Sequence, residues 1–382
     1  MKILHYTPVY APAWCWGGPP RSISNLCEGL ASLGHDVRVL TTNCGLEGSP
    51  EIPIDKLCYR NGVKVRYFPA QRGGAGIRSP GLEAAIREEI GSCDILHVTG
   101  VWQPTCVSAC RAAQSIGRAY VVSPRGALGR YSFTQKRWKK LPYWWMWERR
   151  NVDRASGIHC TSDFELKELM RLGLSGRCFV VPNSINISLW RRDPTAGLAL
   201  RESLGISVNA PLFLVAGRIH HKKGLDLLPE MLDMVRDIPW RLIVMGDDED
   251  RTKMRIRAEF ASRGLSARIA WLPFGGNAEL VAAYSAADAL LMPSLHENFG
   301  NTVVEALGCG CAVVASDKVG VACELKGCEG VTVLPRKVLE WAKILKTPFP
   351  RTTLPREHLE RIFSRESVAK GVLEEYVTCL DA

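Results

Sequence analysis

Two short stretches in the second half of the chain carry residues able to hold a diphosphate. In AGRIHHKKG, residues 216–224, Arg218 and Lys223 lie on a loop between a strand that ends at Gly217 and the helix that follows. An arginine and a lysine beside a helix N-terminus suit a diphosphate, the first as a planar fork and the second as a point charge. In SLHENFGNTVVEALGCGCAVVASD, residues 294–317, a strand ends just before at Met292, a loop runs from Pro293 to Phe299, and a helix opens near Gly300-Asn301. The first N–H groups of a helix have no partner inside it and its dipole end is positive, so this turn offers a phosphate site. Glycine at 300 lets backbone approach a ligand closely. Glu297 sits in the loop and Glu305 a turn or so into the helix.

Those loops need a scaffold, and the sequence supplies one by alternating strand and helix patterns. Lys2–Tyr6 reads as a strand, Gly17-Gly18 and Pro19-Pro20 as a turn, and Ile23, Leu26, Leu30 and Leu33 as one apolar helix face closed by Gly34. Asp36 opens the next strand, which completes a βαβ unit of the doubly wound kind. Further strands are expected at 63–68, 95–98, 119–123, 157–161 and 178–181, with helices over 82–91 and 103–116. At 188–210 the periodicity fails and the run Arg191, Arg192, Asp193, Pro194 and Gly197 reads as a linker. The alternation then restarts: strands at 212–216, 241–246, 269–272, 289–292 and 312–315, helices at 224–236, 253–263, 278–286 and 301–308. Residues 335–360 read as irregular, and 365–380 as a helix. Repeated alternation in both halves predicts an α/β protein with two Rossmann-like parallel-sheet domains facing across a cleft.

Composition sets limits. A chain of 382 residues is too long for one core and suits two domains. With 46% hydrophobic and 23% charged residues it is neither disordered nor fibrous. The 14 cysteines are scattered without a CxxC pair, so no metal site is expected and buried thiols are the plain reading. His220 and His221 read as loop residues rather than metal ligands. No apolar run reaches ~18 residues, and the start lacks the apolar core of a signal peptide, so a cytoplasmic protein is expected.

The net charge of +10 is uneven. Residues 1–200 hold 26 basic and 15 acidic residues, and 101–150 alone hold 10 basic residues against Glu148. That excess surrounds RYSFTQKRWKKLPYWWMWERR, residues 130–150. Lys136, Arg137, Lys139 and Lys140 accompany Trp138, Trp144, Trp145 and Trp147, a mixture suited to an anionic membrane surface. Pro142 is expected to break a long core helix here. A core-packing helix with solvated charges is the alternative, and nucleic acid is not expected as a partner.

The GRIHHKKG and two-glutamate motifs resemble glycosyltransferase family 4, retaining enzymes of the GT-B fold that use nucleotide sugars. The likeness extends through the glycine pair, GHDVRVLT, DILHVTGVW at 94–102, IHCTSDFE at 158–165, VPNSIN at 181–186 and the tail RESVAKGVLEEY. It implies an N-terminal acceptor-side domain over 1–195, a nucleotide-sugar domain over 196–364 and a helix over 365–382 returning to the first. Arg218 and Lys223 would then hold the donor diphosphate, and Glu297 would contact the transferred sugar. Glu305 would accept from the ribose hydroxyls, and Phe299, Gly300, Asn301 and Thr302 would hold phosphate and sugar. Gly17 and Gly18 would approach the donor, and Phe274 and Gly275 would lie near its base. No metal or other cofactor is implied.

The resemblance has departures. Some relatives read S-P-H-G-M-L where this chain has Ser123-Pro124-Arg125-Gly126-Ala127-Leu128, and relatives tend to read H-x-H-G where it has His97-Val98-Thr99-Gly100. Arg125 stays protonated and cannot act as a base; it could bind an acceptor phosphate or the donor, or mark lost activity. His97 is the second acceptor-side candidate. The function implied is hexose transfer from a UDP- or GDP-linked sugar to a glycan, expected to be lipid-linked, in cell-surface polysaccharide synthesis at the cytoplasmic face of a membrane. A nucleotide-sugar epimerase of the same fold and a catalytically silent membrane-associated scaffold are the alternatives.

Overall fold

The structure, a computed structural model, describes every residue except 48, 50, 74, 75, 352–355 and 382. It divides into two compact units, one of residues 1–185 and 362–382 and one of residues 186–361.

The first unit is built on an eight-stranded sheet. Its strands run in the order Cys178–Val180, Gly157–Cys160, Tyr120–Ser123, Ile95–Thr99, Lys2–Tyr6, Asp36–Thr42, Val63–Phe68 and Leu57–Arg60. All neighbours are parallel except the last pair. That antiparallel edge closes through Asn61-Gly62, both at positive φ (48° and 83°), the conformation a tight two-residue hairpin needs. Alternation along the strands sends Ile3, Val37 and Ile95 to one face and Leu4, Leu40 and Leu96 to the other. The first face packs on the helices Gly18–Ser32 and Arg365–Asp381, the second on Pro80–Glu89 and Pro104–Ser115. The two helices on the first face touch closely: a Cβ on Gly29 would stand 2.5 Å from the Arg365 carbonyl oxygen.

The second unit holds six parallel strands in the order Ile269–Leu272, Arg241–Met245, Leu212–Ala216, Ala289–Met292, Ala312–Ser316 and Val331–Leu334. Sequence order runs outward in both directions from the adjacent pair 212–216 and 289–292. Such a reversal opens a crevice at the carboxyl ends of the two strands, and both are fully buried along their length. The loops that leave those ends carry Arg218 and Glu297.

Three sequence expectations need correction. The stretch read as a linker holds the helix Pro194–Ser203: Asp193 caps it by accepting from the Ala196 N–H at 2.9 Å, and Pro194 takes the first helical position, where its missing N–H costs nothing. Buried Arg201 then ties it down through the carbonyls of Ser207, Ala210 and Ala286 and the Asp288 carboxylate. Within 335–360, read as irregular, the helix Val338–Leu345 buries Trp341 and a second helix, Arg356–Phe363, begins; residues 352–355 of that stretch lie outside the described residues. Pro142 does not end a helix. Helix Arg137–Tyr143 contains it, and the turn continues through a π-helical stretch, Trp144–Glu148, into Arg149–Asp153. The wider π turn is one way a chain absorbs a proline.

Candidate active site

In the second unit, Gly217 leaves its strand at φ 116° and the chain pairs at once with a neighbouring loop. The Ile219 N–H donates to the Asp247 carbonyl at 2.8 Å and the Ile219 carbonyl accepts from the Glu249 N–H at 3.0 Å. This stitching fixes Arg218, whose guanidinium reaches Glu249 Oε1 at 2.7 Å with both side chains well exposed. A single 3-10 turn, His221–Lys223, follows and ends on Gly224 in the left-handed region. A Cβ at 224 would stand 2.1 Å from the Pro293 carbonyl oxygen, so the two loops are in backbone contact. The Leu295 N–H, donating to the Lys222 carbonyl at 2.8 Å, joins them a second time.

That contact brings Lys223 to Glu297, Nζ to Oε2 at 2.5 Å. Burial works against charge on Glu297, but the Lys223 ammonium, then Arg218 and His296, outweigh it and hold the carboxyl below its ordinary range. The Glu297 backbone is itself fixed, donating to the Lys318 carbonyl at 2.9 Å and accepting from the Gly320 N–H at 3.0 Å. Gly300, at φ 98°, opens the helix Asn301–Gly308, and a Cβ there would lie 2.9 Å from Val319 Cγ1. Asn301 and Thr302 are half-buried in its first turn and Phe299 is buried just before it. Glu305 is 8% exposed one turn on, where Oε2 accepts from the Tyr284 hydroxyl at 3.1 Å. Phe274 and Gly275 occupy a different loop, after the strand Ile269–Leu272; Phe274 is partly exposed and its N–H donates to Asp247 Oδ1. The structure therefore gathers Arg218, Lys223, Glu297 and Gly300 at one strand-end crevice.

Arg336 is a positioning residue that the sequence reading missed. Its Nε donates to the Pro293 carbonyl at 2.7 Å, and Nη2 to the Gly224 carbonyl and the Asp226 carboxylate at 3.2 Å. It clamps the two loops that bear Lys223 and Glu297. It lies in the stretch 335–360 that shows no periodicity, and nothing in sequence spacing points to it.

In the first unit, Gly17 caps the helix Gly18–Ser32 at φ 79°, with Pro19 and Pro20 in its first turn. His97 is fully buried on the face under the tail helix, with Nδ1 2.5 Å from the Tyr376 hydroxyl and its ring stacked on His5 at 4.6 Å. His159 completes a buried row, 5.5 Å from His97 and stacked on Phe179. His5 lies in the first expected strand and His159 within the IHCTSDFE stretch, but neither is singled out by its spacing in the sequence. Burial, then the positive charge of Arg125, pushes His5 down to about 3; the same two causes act on His159, also to about 3. Burial and the neighbouring imidazoles push His97 well down. Arg125 adopts φ 53°, a left-handed backbone that is uncommon without glycine. Its Nη1 donates to Asn183 Oδ1, Nε has no hydrogen-bond partner among the described residues, and burial, only partly offset by the Glu165 carboxylate, lowers the guanidinium to about 10.

The basic aromatic segment of the same unit divides in two. Trp144 is 3% exposed and packs edge-on against Phe133 and tilted on Trp102, so it anchors the core and presents no surface. Trp147 is half-buried against Tyr143. Trp138 and Trp145 stay 75% and 66% exposed, as does Met146 next in sequence to Trp145 at 56%, and Lys139 and Arg149 lie over the two tryptophan rings at 4.8 and 4.9 Å. Lys136 and Arg137 are exposed, whereas Lys140 is turned back to Ser132. No described helix is long and apolar enough to cross a membrane.

Comparison with known proteins gives concordant findings. Residues 17–184 match a glycosyl transferase 4-like domain, and residues 198–337 match the glycosyl transferases group 1 domain. The chain is 29% identical over 350 residues to a 2-deoxystreptamine glucosyltransferase of Streptomyces kanamyceticus, covering 85% of this chain and 87% of that protein. It is 33% identical over 207 residues to a D-inositol 3-phosphate glycosyltransferase of Xylanimonas cellulosilytica, covering 52% of this chain and 49% of that protein. The match thus spans about half the length of that relative. Among solved structures, the sucrose-phosphate synthase of Thermosynechococcus elongatus superposes over 100% of both chains with a TM-score of 0.78 and 19% identity. Anabaena HepE, solved with UDP and glucose, covers 99% of this chain and 100% of its own with a TM-score of 0.75 and 20% identity. These structural likenesses are of fold.

Proposed function

The chain belongs to the group 1 glycosyltransferases, and from that premise we propose that it moves a hexose, with retention, from a nucleotide diphosphate sugar to a glycan acceptor. The observation that carries this reading is the Lys223–Glu297 pair at the crevice of the second unit, with Arg218 on one side and the Gly300 helix turn on the other. Departure of a nucleoside diphosphate builds negative charge, and Arg218, Lys223 and the helix dipole are fixed in place to meet it. Glu297, held ionised, accepts from hydroxyls of the transferred sugar and favours the positive charge that develops on its ring. Glu305 takes the ribose hydroxyls while Tyr284 holds one carboxylate oxygen.

The acceptor belongs to the first unit in this reading. The relatives' acceptors, D-inositol 3-phosphate and 2-deoxystreptamine, are respectively anionic and cationic. Arg125 favours the anionic class for this chain: the Glu165 carboxylate near it offsets only part of its charge, since burial still lowers the guanidinium to about 10, and an anionic acceptor group supplies a further counter-charge. The exposed Trp138–Trp145 patch favours an acceptor carried on a lipid, reached from the cytoplasmic face in surface-polysaccharide synthesis.

The test is thermal stability against UDP, GDP, ADP and their sugars with no added metal. A ligand at 100 times its Kd that binds only the folded state adds ~2.7 kcal/mol. Stabilisation by one nucleotide, followed by sugar transfer lost in Glu297→Ala, supports the reading. No stabilisation by any of them removes the site assignment.

A further inference from the structure

The bridge between Ile219 and Asp248 does more than hold Arg218. It lays residues 219–221 alongside 247–250 and brings two imidazoles to one carboxylate. His221 Nδ1 is 2.7 Å, and His220 Nε2 3.7 Å, from the same oxygen, Asp250 Oδ2. The two rings stand 4.1 Å apart, and all three potential ligand atoms lie within 4.8 Å of one another. Two ligands of a tetrahedral zinc, each about 2.0–2.1 Å from the ion, are about 3.3 Å apart. The observed separations bracket that value, so small side-chain rotations admit an ion between them.

We propose that His220, His221 and Asp250 bind a divalent transition ion of the zinc class. Two imidazoles and one carboxylate are borderline ligands that select zinc-like ions over magnesium or calcium, and three protein ligands leave one position open to water or a ligand oxygen. The Asp250 carboxylate is positioned by backbone: the His221 N–H donates to its Oδ2 at 3.1 Å and the Thr252 N–H to its Oδ1 at 3.3 Å, bonds that do not use the imidazole nitrogens. The protons balance within the rings. Binding through His221 Nδ1 moves its proton to Nε2. Binding through His220 Nε2 places the proton on Nδ1 and gives up the 3.2 Å bond from the Lys222 N–H. The ion would sit within the loop that runs from Arg218 to Lys223, two residues from each. The proposal concerns metal binding alone and does not depend on the transfer reaction.

The experiment uses untagged, EDTA-treated protein titrated with Co²⁺ alone. The expected result is one equivalent bound with visible ligand-field bands, no thiolate charge-transfer band, displacement by Zn²⁺ and a raised Tm. His221→Ala and Asp250→Asn should each weaken binding about ten- to a hundredfold, at least the cost of losing a supporting group at a metal site. Their melting curves without metal check that they fold. Three outcomes would overturn the proposal: no ligand-field band at millimolar Co²⁺, equal binding by wild type and His220→Ala/His221→Ala, or charge-transfer bands that place the ion on cysteines.

Discussion

Lys223 and Glu297, 74 residues apart in sequence, meet at 2.5 Å, and each is the other's counter-ion. The pair sets up a competition. A diphosphate that binds Lys223 must draw the ammonium away from Glu297 or share it. Glu297→Gln therefore leaves UDP affinity unchanged or tightens it while abolishing transfer. Lys223→Ala weakens UDP by about ten- to a hundredfold, the range of ~1.5–3 kcal/mol for a hydrogen bond to a charged group. Calorimetry on both variants decides the matter; weaker nucleotide binding by Glu297→Gln would mean the carboxylate helps hold the diphosphate side.

Gly224 and Gly34 separate two costs of placing a side chain at positive φ. A Cβ on Gly34, at φ 87°, would meet none of the described residues within 4 Å, so Gly34→Ala incurs left-handed strain alone, about 1–2 kcal/mol. Gly224, at φ 63°, would set its Cβ 2.1 Å from the Pro293 carbonyl oxygen, which Arg336 also grips. Gly224→Ala must push the Lys223 loop off the Glu297 loop. Its loss of stability should exceed that of Gly34→Ala, and only Gly224→Ala should lose nucleotide binding. Denaturant melts of the two variants, with and without UDP, compare them directly.

Acid sensitivity follows from the buried histidine row. His5 and His159 fall to about 3 in the fold and His97 well below its ordinary range, against about 6.5 unfolded. Between those values the unfolded chain binds more protons, so stability falls as pH drops below about 6.5. Glu148 acts the other way. Burial pushes it up to about 7 although its Oε2 accepts from the Trp102 N–H, so it contributes stability below about 4.5 that is lost as pH rises through 7. Three imidazoles outweigh one carboxyl, and Tm should decline from pH 6.5 to 5. Glu148→Gln, which keeps the acceptor, should raise stability at pH 8 by on the order of 1–3 kcal/mol and steepen the acid decline. An unchanged Tm for this variant at pH 8 would show that Glu148 is not buried as an acid.

The parts of the molecule that were legible in sequence are those set by strong local rules. Strands 269–272 and 289–292 and the helix 301–308 announce themselves by apolar runs and a glycine at the turn. The loop positions of Arg218, Lys223 and Glu297 were legible because each follows a strand with a clear apolar run. What was hidden depends on end effects at a helix start or on contacts distant in sequence. Arg191-Arg192-Asp193-Pro194 looks like a breaker, yet Asp193 caps and Pro194 starts a helix, because propensity at a helix start is the opposite of propensity inside one. Arg336 becomes a clamp only once two loops are brought to it. The burial of His97 depends on the tail helix, which delivers Tyr376 to its ring from 279 positions away. Trp144 and Trp145 are adjacent and chemically identical, and only the turn of the helix decides that one is core and the other surface.

That last distinction yields a test of the membrane reading that separates surface from fold. Trp144 packs on Phe133 and Trp102, so Trp144→Ser should cost about 3–5 kcal/mol and lose binding through unfolding, whatever the segment does. Trp138→Ser/Trp145→Ser removes the two most exposed tryptophans of the segment and leaves that packing intact. If the patch docks on lipid, this double variant keeps its Tm and loses sedimentation with anionic vesicles. Clustered lysine and arginine add ~1 kcal/mol each near an anionic surface, so wild-type binding should also fall when neutral lipid replaces anionic lipid or salt is raised. Equal sedimentation by wild type and the folded double variant would show that the exposed rings serve something other than a bilayer.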